Sequence, residues 1–397
     1  MTGRAVAHAA CRGGEGESMT SVRWYRLAIG VVLVVVPLWI LLSRLDAIWN
    51  GHPAYPATLL VTIAVGLALI AFALWPWRRD PEPQGPPWES DPEPNGAPSE
   101  PVVDDDAESS RRSDRPAAGR AVAPGRSSSA PGQRGTWRVA RRVVAAVLVI
   151  GWVAVLAWLR PFTAGPDALA ALGAAGAEGG PVQGGNTDPG ALVVTDNPTT
   201  IELTPTAGTA PTTGLVFTPG ARVDSRAYAE LLRPVAEAGY LVVILKSPYG
   251  IAFAQPGQSA GPITDHPGIT TWAVGGHSLG GVVAAGYAGD HADTITGLLL
   301  YASYPNTDLS GDTDLQVESI SGSNDGLTTP ADIARTKDLL PPDTEFTVID
   351  GGVHAFFGDY GEQPGDGRST VGRQQATAEI VAATTAFLER VQHARPG

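Results

Sequence analysis

Apolar positions along this chain follow two different rhythms. In the first 160 residues they come as long unbroken runs. LAIGVVLVVVPLWILLS lies between Arg26 and Arg44, a second run extends from Ala57 to Trp77, and VVAAVLVIGWVAVLAWL lies between Arg142 and Arg160. Each has the ~17–25 residues that a helix needs to cross ~30 Å of hydrocarbon. Trp24, Tyr25, Trp39, Trp49, Trp75, Trp77 and Trp158 stand near their ends, where amphipathic rings favour the membrane–water boundary. From about Thr199 the runs shorten and alternate with amphipathic stretches. Extended segments are expected at 200–203, 214–218, 240–246, 271–275, 295–302, 315–321 and 345–349. Helices are expected between them: one capped by Ser225 with Tyr228, Leu231, Leu232 and Val235 on one face, one over 279–288, one over 330–340, and a last one over 374–391. Alternating strands and helices imply a mostly parallel sheet with helices on both faces.

This divides the chain into an unstructured leader (1–22), two membrane helices (about 24–44 and 57–77), a linker (78–137), a third membrane helix (138–160), a spacer (161–194) and a globular domain (195–397). The linker is rich in Pro, Ser, Asp, Glu and Arg. It cannot bury enough apolar area to offset chain entropy and is expected to be disordered. Arginines flank the first span on its N-terminal side (Arg23, Arg26), follow the second (Arg78, Arg79) and precede the third (Arg138, Arg141, Arg142). By the positive-inside bias the N-terminus and linker are cytoplasmic and the globular domain lies outside, in a multi-pass protein of the cell membrane.

Charge and cysteine content narrow the functions. The net charge of −13 argues against a nucleic-acid partner, which needs clustered cations. Cys11 is the single cysteine, so no intrachain disulfide forms. No Cys cluster or H-E-x-x-H motif points to a metal, and no cofactor is expected.

The chemistry sits in the globular domain. Gly276-His277-Ser278-Leu279-Gly280 fits G-x-S-x-G, a weak signal in a chain with 48 glycines. Its context adds weight: TWAVG before it reads as a strand, and LGGVVAAGYA after it as a small-residue helix. A nucleophile elbow needs this strand–turn–helix, and Gly280 and Gly281 would let helix and strand approach. In this arrangement an acid and then a histidine follow the serine. Asp325 and His354 each follow an expected strand, so Ser278, Asp325 and His354 are the expected nucleophile, orienting acid and general base. Asp224, Asp350 and Asp359 are competing acids. His277 is expected to point away from the site, and His266, His291 and His393 fit less well. The oxyanion donors are expected to be the N–H of Leu279 and of Ala221 or Gly220, in the loop after the 214–218 strand.

The stretches 215–253, WAVGGHSLGG, SGSNDGL and GGVHAFFGDYGEQPGDG resemble the small single-domain α/β-hydrolases related to dienelactone hydrolase and to lipase and esterase domains, over about 195–395. The resemblance implies an α/β-hydrolase fold and a Ser278–Asp325–His354 triad. Dienelactone hydrolases use a cysteine nucleophile. Serine stands here, so their substrate does not carry over. Only about twenty residues separate Ser303 from Asp325, too few for a cap domain, and an open site is expected. Residues 248–267, rich in Gly and Pro, are expected to be irregular and to wall a pocket. The expected function is a membrane-anchored serine hydrolase of ester-like bonds, acting on a small-molecule or lipid ester. The alternative is a non-catalytic binding or scaffold module of the envelope.

Overall fold

The computed structural model describes residues 5–75, 133–173 and 192–394. The chain separates into two compact units, residues 1–73 with 148–397, and residues 74–147. The described part of the second unit consists of Leu74, Trp75 and the first half of α4 (Gln133–Trp158). Most of the linker expected at 78–137 lies outside the described residues.

In the first unit, α1 (Ala5–Ser43) starts inside the stretch read as leader and continues through the first apolar run. No proline interrupts it before Pro37. A short helix, α2 (Leu45–Trp49), leads to α3 (Ala54–Leu74). The bounds of α3 sit about three residues before those expected. Pro56 is tolerated in a first helical turn, and Pro76 disfavours helical geometry in the residue before it. Three segments, Ser21–Ser43, Ala54–Leu74 and Thr136–Trp158, are long and apolar enough to cross a membrane. α1 and α3 approach closely at two glycines. A Cβ on Gly30 would lie 2.8 Å from the Gly66 carbonyl oxygen, and the reverse contact is equally tight.

The remaining elements form an eight-stranded sheet flanked by helices. The strands are β1 (Leu192–Asp196), β2 (Thr200–Pro205), β3 (Thr213–Thr218), β4 (Leu241–Leu245), β5 (Thr271–His277), β6 (Ile295–Tyr301), β7 (Gln316–Gly322) and β8 (Glu345–Ile349), in the order β1-β2-β4-β3-β5-β6-β7-β8. β2 is antiparallel to β1 and β4, and the other pairings are parallel. The helices are α5 (Pro166–Ala171), α6 (Ala229–Glu237), α7 (Ala260–Asp265), α8 (Leu279–Asp290), α9 (Pro330–Thr336) and α10 (Arg373–His393). β3 and β4 are buried along their whole length. That is why they read as continuous apolar runs rather than alternating ones.

Each sheet face has its own core. Phe217, Leu231, Leu299, Ile380 and Phe387 belong to the core shared with α6 and α10, and Val216, Val274, Ala285 and Leu298 to the one shared with α8. β1 was not expected. It is short, pairs on one side only and buries Leu192 and Val194 alone.

Residues 161–173, expected as spacer, pack onto this domain. Phe162 bridges to Val223, its N–H donating to the Arg222 carbonyl at 2.7 Å. The Asp359 carboxylate accepts from the Ala168 N–H at 3.0 Å in α5. Residues 174–191 lie outside the described residues.

Candidate active site

Ser278 stands between the end of β5 and the start of α8, with φ 51° and ψ −123°. A non-glycine residue in that region costs on the order of 1–3 kcal/mol and persists only where its surroundings hold it. They do: the Ser278 N–H donates to the Tyr301 carbonyl at 2.9 Å, and the Ser303 hydroxyl donates to the Ser278 carbonyl at 2.7 Å. Both partners come from the end of β6 or just after it. Gly280 makes the turn feasible, because a Cβ there would collide with the carbonyl oxygens of Thr218 and Pro219. α8 can therefore start directly against the end of β3.

The acid and the histidine come from the loops after β7 and β8. Asp325 Oδ1 accepts from the N–H groups of Leu327 and Thr328 at 2.8 and 2.7 Å. This fixes the carboxylate and turns Oδ2 toward His354 Nδ1, 2.9 Å away. Both side chains are buried. With Nδ1 committed, Nε2 is the nitrogen free to receive a proton. Among the described residues, Ser278 Oγ and His354 Nε2 have no hydrogen-bond partner. Such contacts are often long before substrate binds.

The competing acids are engaged elsewhere. Asp224 is paired with Arg226 at 2.7 Å, Asp350 accepts from the Ser323 hydroxyl at 3.2 Å, and Asp359 caps α5. His266 faces Glu202 at 3.5 Å, while His291 and His393 bond backbone carbonyls of their own helices.

His277 differs from the expectation that it points away. Its ring packs 4.5 Å from that of His354, between centroids. Burial pushes its pKa well below the ordinary histidine value, and the neighbouring His354 adds to the shift. It stays neutral beside His354. The Tyr228 hydroxyl accepts from the Gly220 N–H at 2.8 Å and lies 3.0 Å from His277 Nδ1. Its own proton is thus directed at that nitrogen, and burial keeps the phenol protonated.

The same hydrogen bond bears on the oxyanion donors. The Gly220 N–H is already occupied by Tyr228. Leu279 is the first residue of α8, where the amide has no intrahelical acceptor. Ala221 lies in the turn between Gly220 and Arg222, and the Arg222 N–H is taken by the Gly250 carbonyl at 2.7 Å. Leu279 and Ala221 are therefore the two expected donors left unoccupied.

Sequence reasoning missed Asp366. Its carboxylate accepts from the N–H groups of His354 (3.1 Å), Ala355 (2.8 Å), Gly326 (3.2 Å) and Gly367 (2.7 Å), tying the loop that carries His354 to the one that carries Asp325. A carboxylate between two glycines, Gly365 and Gly367, was the only local signal.

No cap domain interrupts the sheet between β6 and β7, as expected. Residues 248–267 form short turns and α7, and Tyr249, Gly250, Phe253 and Pro256 line two surface pockets.

Residues 214–378 match the Alpha/beta hydrolase family. Among solved structures, the chain is similar to a CIB-like hydrolase from Thermoplasma acidophilum (16% identity, 50% of this chain and 99% of that one, TM-score 0.38). It is also similar to a dienelactone hydrolase-like promiscuous phosphotriesterase from metagenomic libraries (16%, 51% and 99%, TM-score 0.39). A third is a thermophilic esterase from the Planctomycetes species Thermogutta terrifontis (14%, 52% and 95%, TM-score 0.37). No curated protein matches the chain.

Proposed function

We propose that this chain, an α/β hydrolase by its topology and its family match, is a membrane-anchored serine hydrolase that cleaves an ester-like bond. The observation that carries the reading is the strained Ser278 at the β5–α8 turn, together with the buried 2.9 Å contact between Asp325 and His354. Ser278 Oγ attacks the substrate carbonyl and passes its proton to His354 Nε2. Asp325 holds the ring orientation and stabilises the imidazolium. The carbonyl oxygen becomes an oxyanion facing the N–H groups of Leu279 and Ala221. Collapse of the tetrahedral intermediate breaks the ester C–O bond, and the alcohol leaves with the proton from His354. Water then enters, gives a proton to His354 and attacks the acyl carbon; the acid is released as His354 returns the proton to Ser278 Oγ.

The anchor comprises the three apolar helices, with the N-terminus and linker cytoplasmic and the hydrolase domain outside. The arginine distribution supports this orientation.

Labelling of the full-length protein by a fluorophosphonate probe tests the chemistry. Wild type should label, Ser278→Ala should not, and His354→Ala should lose turnover. Absence of wild-type labelling, or equal labelling of Ser278→Ala, would sink the proposal.

A further inference from the structure

Where the segment between α1 and α3 meets the hydrolase domain, a pocket of about 40 Å³ opens. One water needs only ~10–15 Å³, so a group of several atoms fits. Its walls are residues 47–55 on one side and the loops after β3 and β4 on the other, among them Pro219, Arg222, Lys246, Ser247 and Tyr249.

The polar groups here are out of balance. Arg222 has no carboxylate partner among the described residues. Its guanidinium lies 4.9 Å from the Trp158 ring and 5.0 Å from the Phe162 ring. Its Nε donates only to the Arg160 carbonyl at 3.4 Å. Arg160, stacked over Trp39 at 4.4 Å, is a second cation with no carboxylate partner among the described residues, and its buried Nε has no acceptor among them. The proximity of the two guanidiniums contributes, after burial, to a lowered Arg222 pKa. The pocket's own carboxylate, Asp224, bonds Arg226 through both oxygens and makes no contact with Arg222. Lys246 is buried and paired with Asp196. The Ser247 hydroxyl, on a residue 6% exposed, has no partner among the described residues.

A guanidinium with no carboxylate partner among the described residues and an orphaned buried hydroxyl are each unfavourable. One small anion with several acceptor oxygens would satisfy both. A guanidinium fork and a hydroxyl suit the oxygens of a phosphate. We propose that this pocket is a binding site for a phosphate-type anion, with Arg222 and Ser247 as its donors and Arg160 adding positive charge nearby. Such a group comes from a phospholipid headgroup or from free phosphate. The site stands apart from the Ser278 chemistry, since Arg222 and Ser247 have no part in the hydrolytic steps.

The test uses the full-length protein in an uncharged detergent, titrated with inorganic phosphate by calorimetry. In parallel, the protein is reconstituted in phosphatidylcholine nanodiscs and titrated with a short-chain phosphatidylglycerol. Wild type should bind at least one of the two. Arg222→Gln and Ser247→Ala should each weaken that binding by about tenfold or more, a loss of about 1.4 kcal/mol. Unchanged far-UV circular dichroism verifies the fold of each variant. Binding of phosphate alone assigns the site to the free anion, and binding of the lipid alone assigns it to a headgroup. Both outcomes support the site. If wild type takes up neither, or if both variants bind as wild type does, the proposal fails. Failure here leaves fluorophosphonate labelling of Ser278 untouched, and the reverse also holds.

Discussion

At Ser278, a strained backbone, a free hydroxyl and two pinning hydrogen bonds coincide. The sequence made Ser278, Asp325 and His354 readable as candidates through their order and their places after strands. It could not reveal Ser303, Tyr228 or Asp366. Each acts on a partner that only the fold brings near, such as the Ser278 carbonyl or the His354 amide. Asp366 gives the sharpest residue-level prediction. In Asp366→Asn an amide NH2 replaces one acceptor oxygen, so at least one loop N–H loses its partner. The expected loss in kcat is about 10- to 100-fold, with KM little changed, because the loop holding His354 shifts while the substrate surface does not. Steady-state kinetics on a soluble p-nitrophenyl ester reads this. Equal kcat for variant and wild type would remove Asp366 from the positioning network.

His277 carries a pH prediction. Its pKa in the fold is well below the ordinary value, so below pH ~6.5 the unfolded chain binds a proton that the folded chain refuses. Stability therefore rises with pH up to that point and is lost as pH falls below it, by up to about 1.4 kcal/mol per unit from this group. Urea unfolding of wild type and His277→Gln over about pH 5 to 7.5 isolates the contribution. The variant should show the shallower slope, and parallel slopes would refute the assignment.

Among the elements, the β5–α8 junction depends on the close approach at Gly280. Gly280→Ala drives a methyl group into the Thr218 and Pro219 carbonyls, at an expected cost of about 1–3 kcal/mol in urea unfolding. A wild-type midpoint would show that the junction is slack. Element patterning was the most legible layer of the sequence. The seven expected strands correspond to β2 through β8, since buried parallel strands announce themselves as apolar runs. β1 escaped because an edge strand with two inward residues has almost no pattern to read. α5 escaped for a related reason. Six Ala-rich residues look like a spacer until Asp359, nearly two hundred positions later, accepts from their first turn.

On the scale of the whole molecule, what composition could not convey is how the globular domain meets the segments around the apolar helices. Arg226 joins Asp224 to Asp46, in α2, at 2.6 Å. Tyr249 packs edge-on against Tyr55, and a third apolar cluster contains Ile40, Ile48, Leu59 and Leu156. The two ion pairs of Arg226 should behave differently. Asp46 is exposed, and Asp46→Ala should cost no more than about 1 kcal/mol. Arg226→Ala leaves Asp224 buried without its counter-ion and should cost about 3–5 kcal/mol. Thermal unfolding of the two variants in detergent compares them, and equal losses would argue against the buried pair. The proposed orientation is checked by adding protease to intact cells. Residues 200–397 should be digested and residues 80–135 spared, and the reverse pattern would invert the topology.

Only three residues separate Trp158, the last of α4, from Phe162, which is hydrogen-bonded into the loop beside β3. The four steps from Trp158 to Phe162, fully extended, reach no more than ~14 Å. With α4 in a bilayer, the domain would be leashed to the lipid surface and would search two dimensions rather than three. Turnover of a lipid ester should then obey surface-dilution kinetics. The rate would follow the mole fraction of substrate in the bilayer, and adding inert lipid at fixed bulk substrate would slow it.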